Sequence, residues 1–341
     1  MKETTFHLRD HLLFALLTVL TLILCIGVGS VSVPFRDTAE IIFRAIAGWE
    51  QPSGSAVAII LYTRLPRVLC VALVGAMLAL GGCAMQGLLR NPLADGSTLG
   101  VSSGASLGAA LAILSGVSIP FLPFGGTAGA AMLSAFLSLV VLLALAFALD
   151  HSLATNTLIL LGVVFSMFVS ALLSLLITFS GDKLRAITFW TMGNLSSASY
   201  QNALTLLATL LLCGGIILTQ ARALNAMGEE YALHVGVSVR RVKLTVMICV
   251  SAMIGMSVSV GGGIGFVGLV TPHMIRLIVG ANHRRTLPAC LYGGAIFLLL
   301  ADLISRTILA PAVLPVGVVT SIIGAAAFLV IFLRTKRRER A

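Results

Sequence analysis

Residues 221–243 read ARALNAMGEEYALHVGVSVRRVK, and their character decides the fold. Glu229, Glu230, Arg222, Arg240, Arg241 and Lys243 crowd into this stretch, while the long segments on both sides carry almost no charge. A charge at the centre of a bilayer costs about 2.5–3.5 kcal/mol on insertion scales. The stretch therefore belongs in water, with membrane-spanning blocks before and after it. Within it, Met227, Tyr231 and Val235 recur at i, i+4 and i+8, the spacing of one stripe on a two-turn amphipathic helix. Gly236 stands where such a helix would end, and Ser238 where the next would be capped. An exposed helix with one apolar stripe suits a soluble partner, and an ordinary solvated connector would show the same pattern.

Composition agrees with that reading. Only 10% of residues are charged and 58% are apolar, and the mean hydropathy is +1.08. No soluble globular domain has such values, so an all-α polytopic membrane protein is expected. The net charge of +10 is scattered over loops and the C-terminal tail, which fits membrane orientation and excludes nucleic acid as a partner. Cysteines 25, 70, 83, 213, 249 and 290 all lie in apolar runs without a CxxC pair, as buried free thiols do. Lys2 and Arg9 precede an apolar run from Leu12 to Val28, which reads as an uncleaved first span.

A helix needs about 20 residues to cross the hydrocarbon core. Charge-free intervals predict about ten transmembrane helices, at 12–31, 66–87, 98–114, 124–149, 155–179, 201–220, 243–260, 264–280, 287–304 and 315–333. With both termini inside, 15 of the 22 Lys and Arg residues fall on the cytoplasmic side, which predicts an N-in/C-in topology. Residues 334–341 become a basic cytoplasmic tail. Outside, Ile42, Ile46 and Trp49 share one face of a short surface helix over 36–49. Gly100, Gly104 and Gly108 predict a close-packing helix face, and Gly261 with Gly265 repeats the spacing. A weak internal echo relates 82–92 to 263–272.

There is no GxxxxGK[ST] loop around Lys2, Lys183, Lys243 or Lys336, so this chain does not hydrolyse ATP by itself. The six histidines show no HExxH spacing; His7 and His11 are four apart but stand at the N-terminal edge of the chain beside Arg9, and no metal site is expected. Gly162, Ser166, Ser170, Ser174 and Thr178 form an unbroken i, i+4 row. Such a row either packs against a helix, its hydroxyls bonded to preceding carbonyls, or lines a wet pathway. By this placement no span carries a mid-membrane charge, and Asp302 with Arg306 reads as a modest ion pair at an outer helix end. That weighs against the rival class, a secondary active transporter driven by an ion gradient. An intramembrane enzyme lacks its nucleophile–base or metal constellation. Energy has to arrive from elsewhere, and 221–243 is the place to receive it.

Several stretches together resemble the FecCD-type permeases, the membrane subunits of ABC importers for ferric siderophores, haem and cobalamin. They are RLPR at 64–67, MQGLLRNPLAD at 85–95, LGVSSGASLG at 99–108, FWTMGNL at 189–195, GFVGLVTPHMIRLIVG at 265–280, ADLISR at 301–306 and LPVGVVTSIIG at 314–324. The resemblance implies a type II ABC importer permease architecture, one permease domain over 1–341, in a bacterial cytoplasmic (inner) membrane. It implies a second permease copy, identical or closely related, with a pathway between the two lined by the fifth helix and thus by Ser166, Ser170, Ser174 and Thr178. A separate cytoplasmic ATP-binding subunit would use the ATP and grip Met227, Glu229, Glu230, Tyr231, His234 and Gly236. An extracytoplasmic substrate-binding protein would place carboxylates against Arg64, Arg67 and Arg306. No cofactor is expected on this chain; a ferric siderophore is the first-choice cargo, with haem or cobalamin next. Three positions depart from the family pattern: Val313 replaces a usual Glu, Gly96 a common Pro, and Ala326 a common Pro.

Overall fold

The computed structural model describes residues 6–340 apart from 53, 117–124, 151–152 and 227–237. The described residues are helical, without strands. In chain order the principal helices are α1 Leu8–Gly27, α2 Phe35–Ala47, α3 Ser55–Leu88, α4 Val101–Ser115, α5 Gly125–Leu149 and α6 Thr155–Thr178. Then come α7 Leu184–Thr191, α8 Tyr200–Thr219, α9 Val239–Gly261, α10 Val267–Val279, α11 His283–Thr307 and α12 Val316–Arg340. Each of the ten apolar intervals coincides with one of these helices. Seven of them (α1, α3, α5, α6, α8, α9 and α11) are long and apolar enough to cross a membrane, and this is a multi-pass membrane protein. The apolar parts of α4, α10 and α12 are shorter.

The largest shift from expectation is the start of α3. The charge-free interval places the second span at 66–87, with Pro66 in its first turn, where proline is tolerated. The helix instead begins eleven residues earlier at Ser55 and passes through a π-helical turn, Ala58–Arg64, just before the proline. There the Leu65 N–H bonds to Ile60 O, five residues back, so the helix widens where Pro66 would otherwise clash. Arg64 and Arg67 consequently lie within a helix rather than at its mouth.

The centre of the molecule is α3 and α9, with α10 and α11 laid against α3. Small residues set these distances. A Cβ on Gly75 would overlap the Gly294 carbonyl of α11, and one on Gly82 would overlap the Gly268 carbonyl of α10. Gly82 and Gly268 belong to the two halves of the internal echo, which therefore cross in space. Gly104 and Gly108 bring α4 against Ser138 and Ser134 of α5, as their spacing predicts. Gly261 and Gly265 do not repeat that device: they bracket the break between α9 and α10, and Gly265 has only Ser321 near it.

On α2 the face buried within the chain is centred on Thr38 and Ile41, and Ile46 and the following Trp49 are exposed. The basic residues after 333 continue α12, which runs without interruption to Arg340.

Candidate functional site

The sequence stretches singled out above meet in pairs, and each meeting builds one part of the site. RLPR, inside α3, meets ADLISR at the end of α11. Arg67 donates to Asp302 Oδ1 through Nη2 at 2.8 Å and Nε at 3.1 Å. Arg306 Nε lies 2.9 Å from Asp302 Oδ2, an ion contact off the line of a hydrogen bond. Its Nη2 donates to Cys25 O at 3.1 Å, at the end of α1. Arg64 donates to the carbonyls of Ile26, Gly27 and Val31. All four residues are buried, Asp302 completely. Burying an isolated charge is prohibitive, and two guanidiniums plus backbone carbonyls are what make Asp302 and its partners tolerable here.

This cluster corrects the sequence reading: the modest pair at a helix end is a buried network of Asp302 with Arg306 and the distant Arg67, and Arg64 is buried beside it. One carboxylate answers Arg67 and Arg306 while Arg64 bonds only to backbone carbonyls, so a positive surplus remains beside a cavity of about 150 Å³ lined by Arg64, Arg67, Arg306 and Val313. The residue that departs from the family pattern thus borders the surplus charge.

FWTMGNL meets the glycines at 261–263 and LPVG at 314–317. Asn194 N–H bonds to Gly261 O at 2.8 Å, Val316 N–H to Gly193 O at 3.0 Å and Gly317 N–H to Met192 O at 3.1 Å. Gly262 (φ 68) and Gly193 (φ 83) adopt left-handed conformations that their contacts require, since a Cβ on Gly262 would overlap the Trp190 carbonyl. After this knot comes Phe266 at φ 66, a bulky residue in a region glycine favours. Sequence reasoning missed it, although the glycine run immediately before it was a signal of irregular backbone.

Phe266 lines a cavity of about 590 Å³ together with Asn91, Asp95, Thr98 and Ser166. Of the hydroxyl row, only Ser166 touches this space. Gly162 at the row's head packs against the Thr98 carbonyl. Ser170, Ser174 and Thr178 are exposed in the single chain, and two of them bond to the preceding turn, Ser174 to Ser170 O and Thr178 to Ser174 O, both at 2.9 Å. Exposure does not single the row out, because Val164, Met167 and Phe168 on the same helix are exposed too.

Met227, Glu229, Glu230, Tyr231, His234 and Gly236 lie outside the described residues. Both roots of their segment are described. Before it, Asn225 Nδ2 donates to Asn282 Oδ1 at 2.8 Å, and the His283 N–H donates to Asn225 Oδ1 at 2.9 Å. After it, Ser238 precedes α9 without making a side-chain cap. Lys243, counted among the water-exposed charges, is buried in α9 and donates to Leu153 O at 2.9 Å.

The FecCD transport family model matches residues 17–334. The chain belongs to this family. Its relatives include the hemin transport system permease protein HmuU of Yersinia pestis, 37% identical over 98% of both chains. Another is the vitamin B12 import system permease protein BtuC of Klebsiella pneumoniae, 40% identical over 81% of this chain and 82% of the relative. Among solved structures, an inward-facing conformation of a metal-chelate type ABC transporter covers 96% of this chain and all of that one, at 32% identity and a TM-score of 0.83.

Proposed function

We propose that this chain is the single-domain permease subunit of an ATP-driven importer for a metal chelate, a ferric siderophore first, with haem and cobalamin next. Family membership along nearly the whole chain carries the importer class, and it leaves the gradient-driven transporter unfavoured even though a buried charged cluster exists. The ten apolar helices cross the membrane with both termini inside. A second permease copy covers the exposed face of α6, so that Ser166, Ser170, Ser174 and Thr178 border the path between copies. Hydroxyls wet such a surface without binding a chelate tightly, and the row offers a bare metal ion none of the carboxylates, imidazoles or thiolates it would need. A separate ATPase engages 227–236, and an extracytoplasmic binding protein sets carboxylates against the surplus charge of Arg64, Arg67 and Arg306.

Reconstitution with the cognate ATPase and binding protein in vesicles tests this reading. Radiolabelled ferric siderophore should accumulate only with ATP; uptake driven by a proton or sodium gradient in the chain alone would overturn it. The docking role has a gentler probe than removing a buried arginine. Val313→Glu restores an acid at the cavity rim, and it should weaken docking of the binding protein, more so at low salt. Unchanged affinity would remove docking from this cluster.

A further inference from the structure

A third cavity, of about 530 Å³, lies where α3 ends and α11 begins. From Arg67 to Gly87 is 20 residues of helix, about 30 Å, so this cavity and the arginine–aspartate cluster sit on opposite sides of the molecule. Its walls are the end of α3, the last turn of α10, the first turn of α11 and residues 224–226. Arg90 and Arg276 line it, no lining residue is acidic, and neither arginine makes an ion pair among the described residues. Arg90 also ends α3 in the left-handed conformation, φ 46, at a position where glycine is usual.

Two further wall residues hold acceptors that lack donors. Gln86 is 4% exposed; its Nε2 reaches the Gly268 and Leu269 carbonyls, which leaves Oε1 buried and unpartnered. The tautomer of His283 follows from its neighbours. The Arg284 N–H fixes Asn282 Oδ1 as an acceptor, so Asn225 presents Nδ2 to Asn282 and Oδ1 to His283. His283 Nδ1, 2.8 Å from that Oδ1, therefore carries the proton. Its Nε2 is a buried acceptor without a partner, packed over Gly87, where a Cβ would stand 2.5 Å away.

Two guanidiniums without an acidic partner among the described residues call for an oxyanion, and arginine's planar fork matches phosphate in particular. Two donor-less acceptors call for hydroxyl groups on the same ligand. A carboxylate or sulfate supplies the first without the second. We propose that this cavity binds a phosphate-class oxyanion that also bears hydroxyl, either the glycerophosphate headgroup of an anionic lipid or free hydrogen phosphate. In the topology proposed above, the site faces the cytoplasm. Asn225 belongs to its wall and lies two residues before the segment assigned to the ATPase, so a bound ligand fastens the root of that segment to α11.

The full-length chain, exchanged into micelles of phosphatidylcholine with a minor fraction of phosphatidylglycerol, is examined by native mass spectrometry; inorganic phosphate is titrated separately by equilibrium dialysis. One retained phosphatidylglycerol per chain that phosphate does not displace identifies the lipid source, and saturable phosphate binding alone identifies the soluble one. In either case Arg90→Gln with Arg276→Gln should weaken binding about tenfold or more. Arg90→Lys with Arg276→Lys, which keeps both charges and guards against misfolding, should retain most of it. Equal binding by wild type and the glutamine variant, or saturation by neither probe, overturns the proposal. So does a glutamine variant that sheds the ATPase subunit while its lipid and phosphate binding is unchanged, because the arginines would then belong to that interface.

Discussion

Helices α3 and α6 are almost equally hydrophobic, with mean hydropathies of 2.4 and 2.6 over their most apolar windows, yet 78% of the first window is buried in the chain and only 17% of the second. Hydropathy therefore says that both cross the membrane and nothing about which one is central. The difference is size. Along its packed faces α3 carries Gly75, Ala76, Ala79, Gly81, Gly82, Ala84 and Gly87, which let α10 and α11 approach backbone to backbone and seat the Val250 and Met253 side chains of α9. On α6 the outward positions are Leu160, Val163, Val164, Met167 and Phe168, with the hydroxyl row between them. Where lipid tails are as apolar as leucine, small residues and polar contacts decide helix association. α3 is built for contact within the chain, and α6 for contact outside it.

Breaking the comparison at its strongest point means adding bulk to α3. Gly82→Leu should leave no folded protein, a cost beyond the roughly 4–5 kcal/mol ceiling of ordinary substitutions, because the side chain would occupy the α10 backbone. Gly129→Leu on α5, where a Cβ meets nothing within 4 Å, should be tolerated. Recovery of monodisperse protein from detergent extracts distinguishes them, and equal yields would contradict the close crossing. Next in size is Asp302→Asn. Removing the one carboxylate leaves Arg67 and Arg306 buried without a counter-charge, and should cost about 3–5 kcal/mol in denaturant titration in micelles. A loss below about 1 kcal/mol would mean that water already solvates the cluster.

The smallest effect on stability, and the sharpest test of α6, comes from its exposed face. Ser170→Leu should change stability by no more than about 0.5 kcal/mol while reducing transport. Single cysteines at 166, 170, 174 and 178 in a variant free of native cysteines should react with a water-soluble thiol reagent in the assembled transporter. Cysteines at 168, 172 and 176 should react far less. Since Phe168 and Leu172 are themselves exposed in the single chain, uniform labelling would place the whole helix surface in one environment and dissolve the distinction.

Much of the fold was legible because helix length, charge-free runs and small-residue spacing are local properties. Gly104 and Gly108 met α5 as their period required. The arginine cluster was legible only in part: RLPR and ADLISR drew notice, but as an outward-facing pair of motifs. Arg67 and Asp302 are 235 residues apart in sequence, and no local pattern says that they will touch. The extension of α3 upstream of Pro66 was hidden for another reason, since a π turn is an accommodation of the tertiary position and leaves no periodic signature. Lys243 misled because a charge next to other charges looks solvated, whereas its long stem lets the ammonium reach the Leu153 carbonyl from within α9.

By itself the sequence determined the all-helical, membrane-embedded class, the places of the apolar helices and the family, because each depends on composition and motif read along the line of the chain. Only the tertiary structure decided that Arg67, Asp302 and Arg306 form one buried network with Arg64 beside it, that Ser166 of its row borders the cavity behind Phe266, and that Arg90 and Arg276 face a shared space without an acidic partner among the described residues. The physical reason is the same in all three cases. Burial and charge compensation belong to groups brought together across α1, α3, α6, α10 and α11, and their sum is fixed by who the neighbours are rather than by what each residue is.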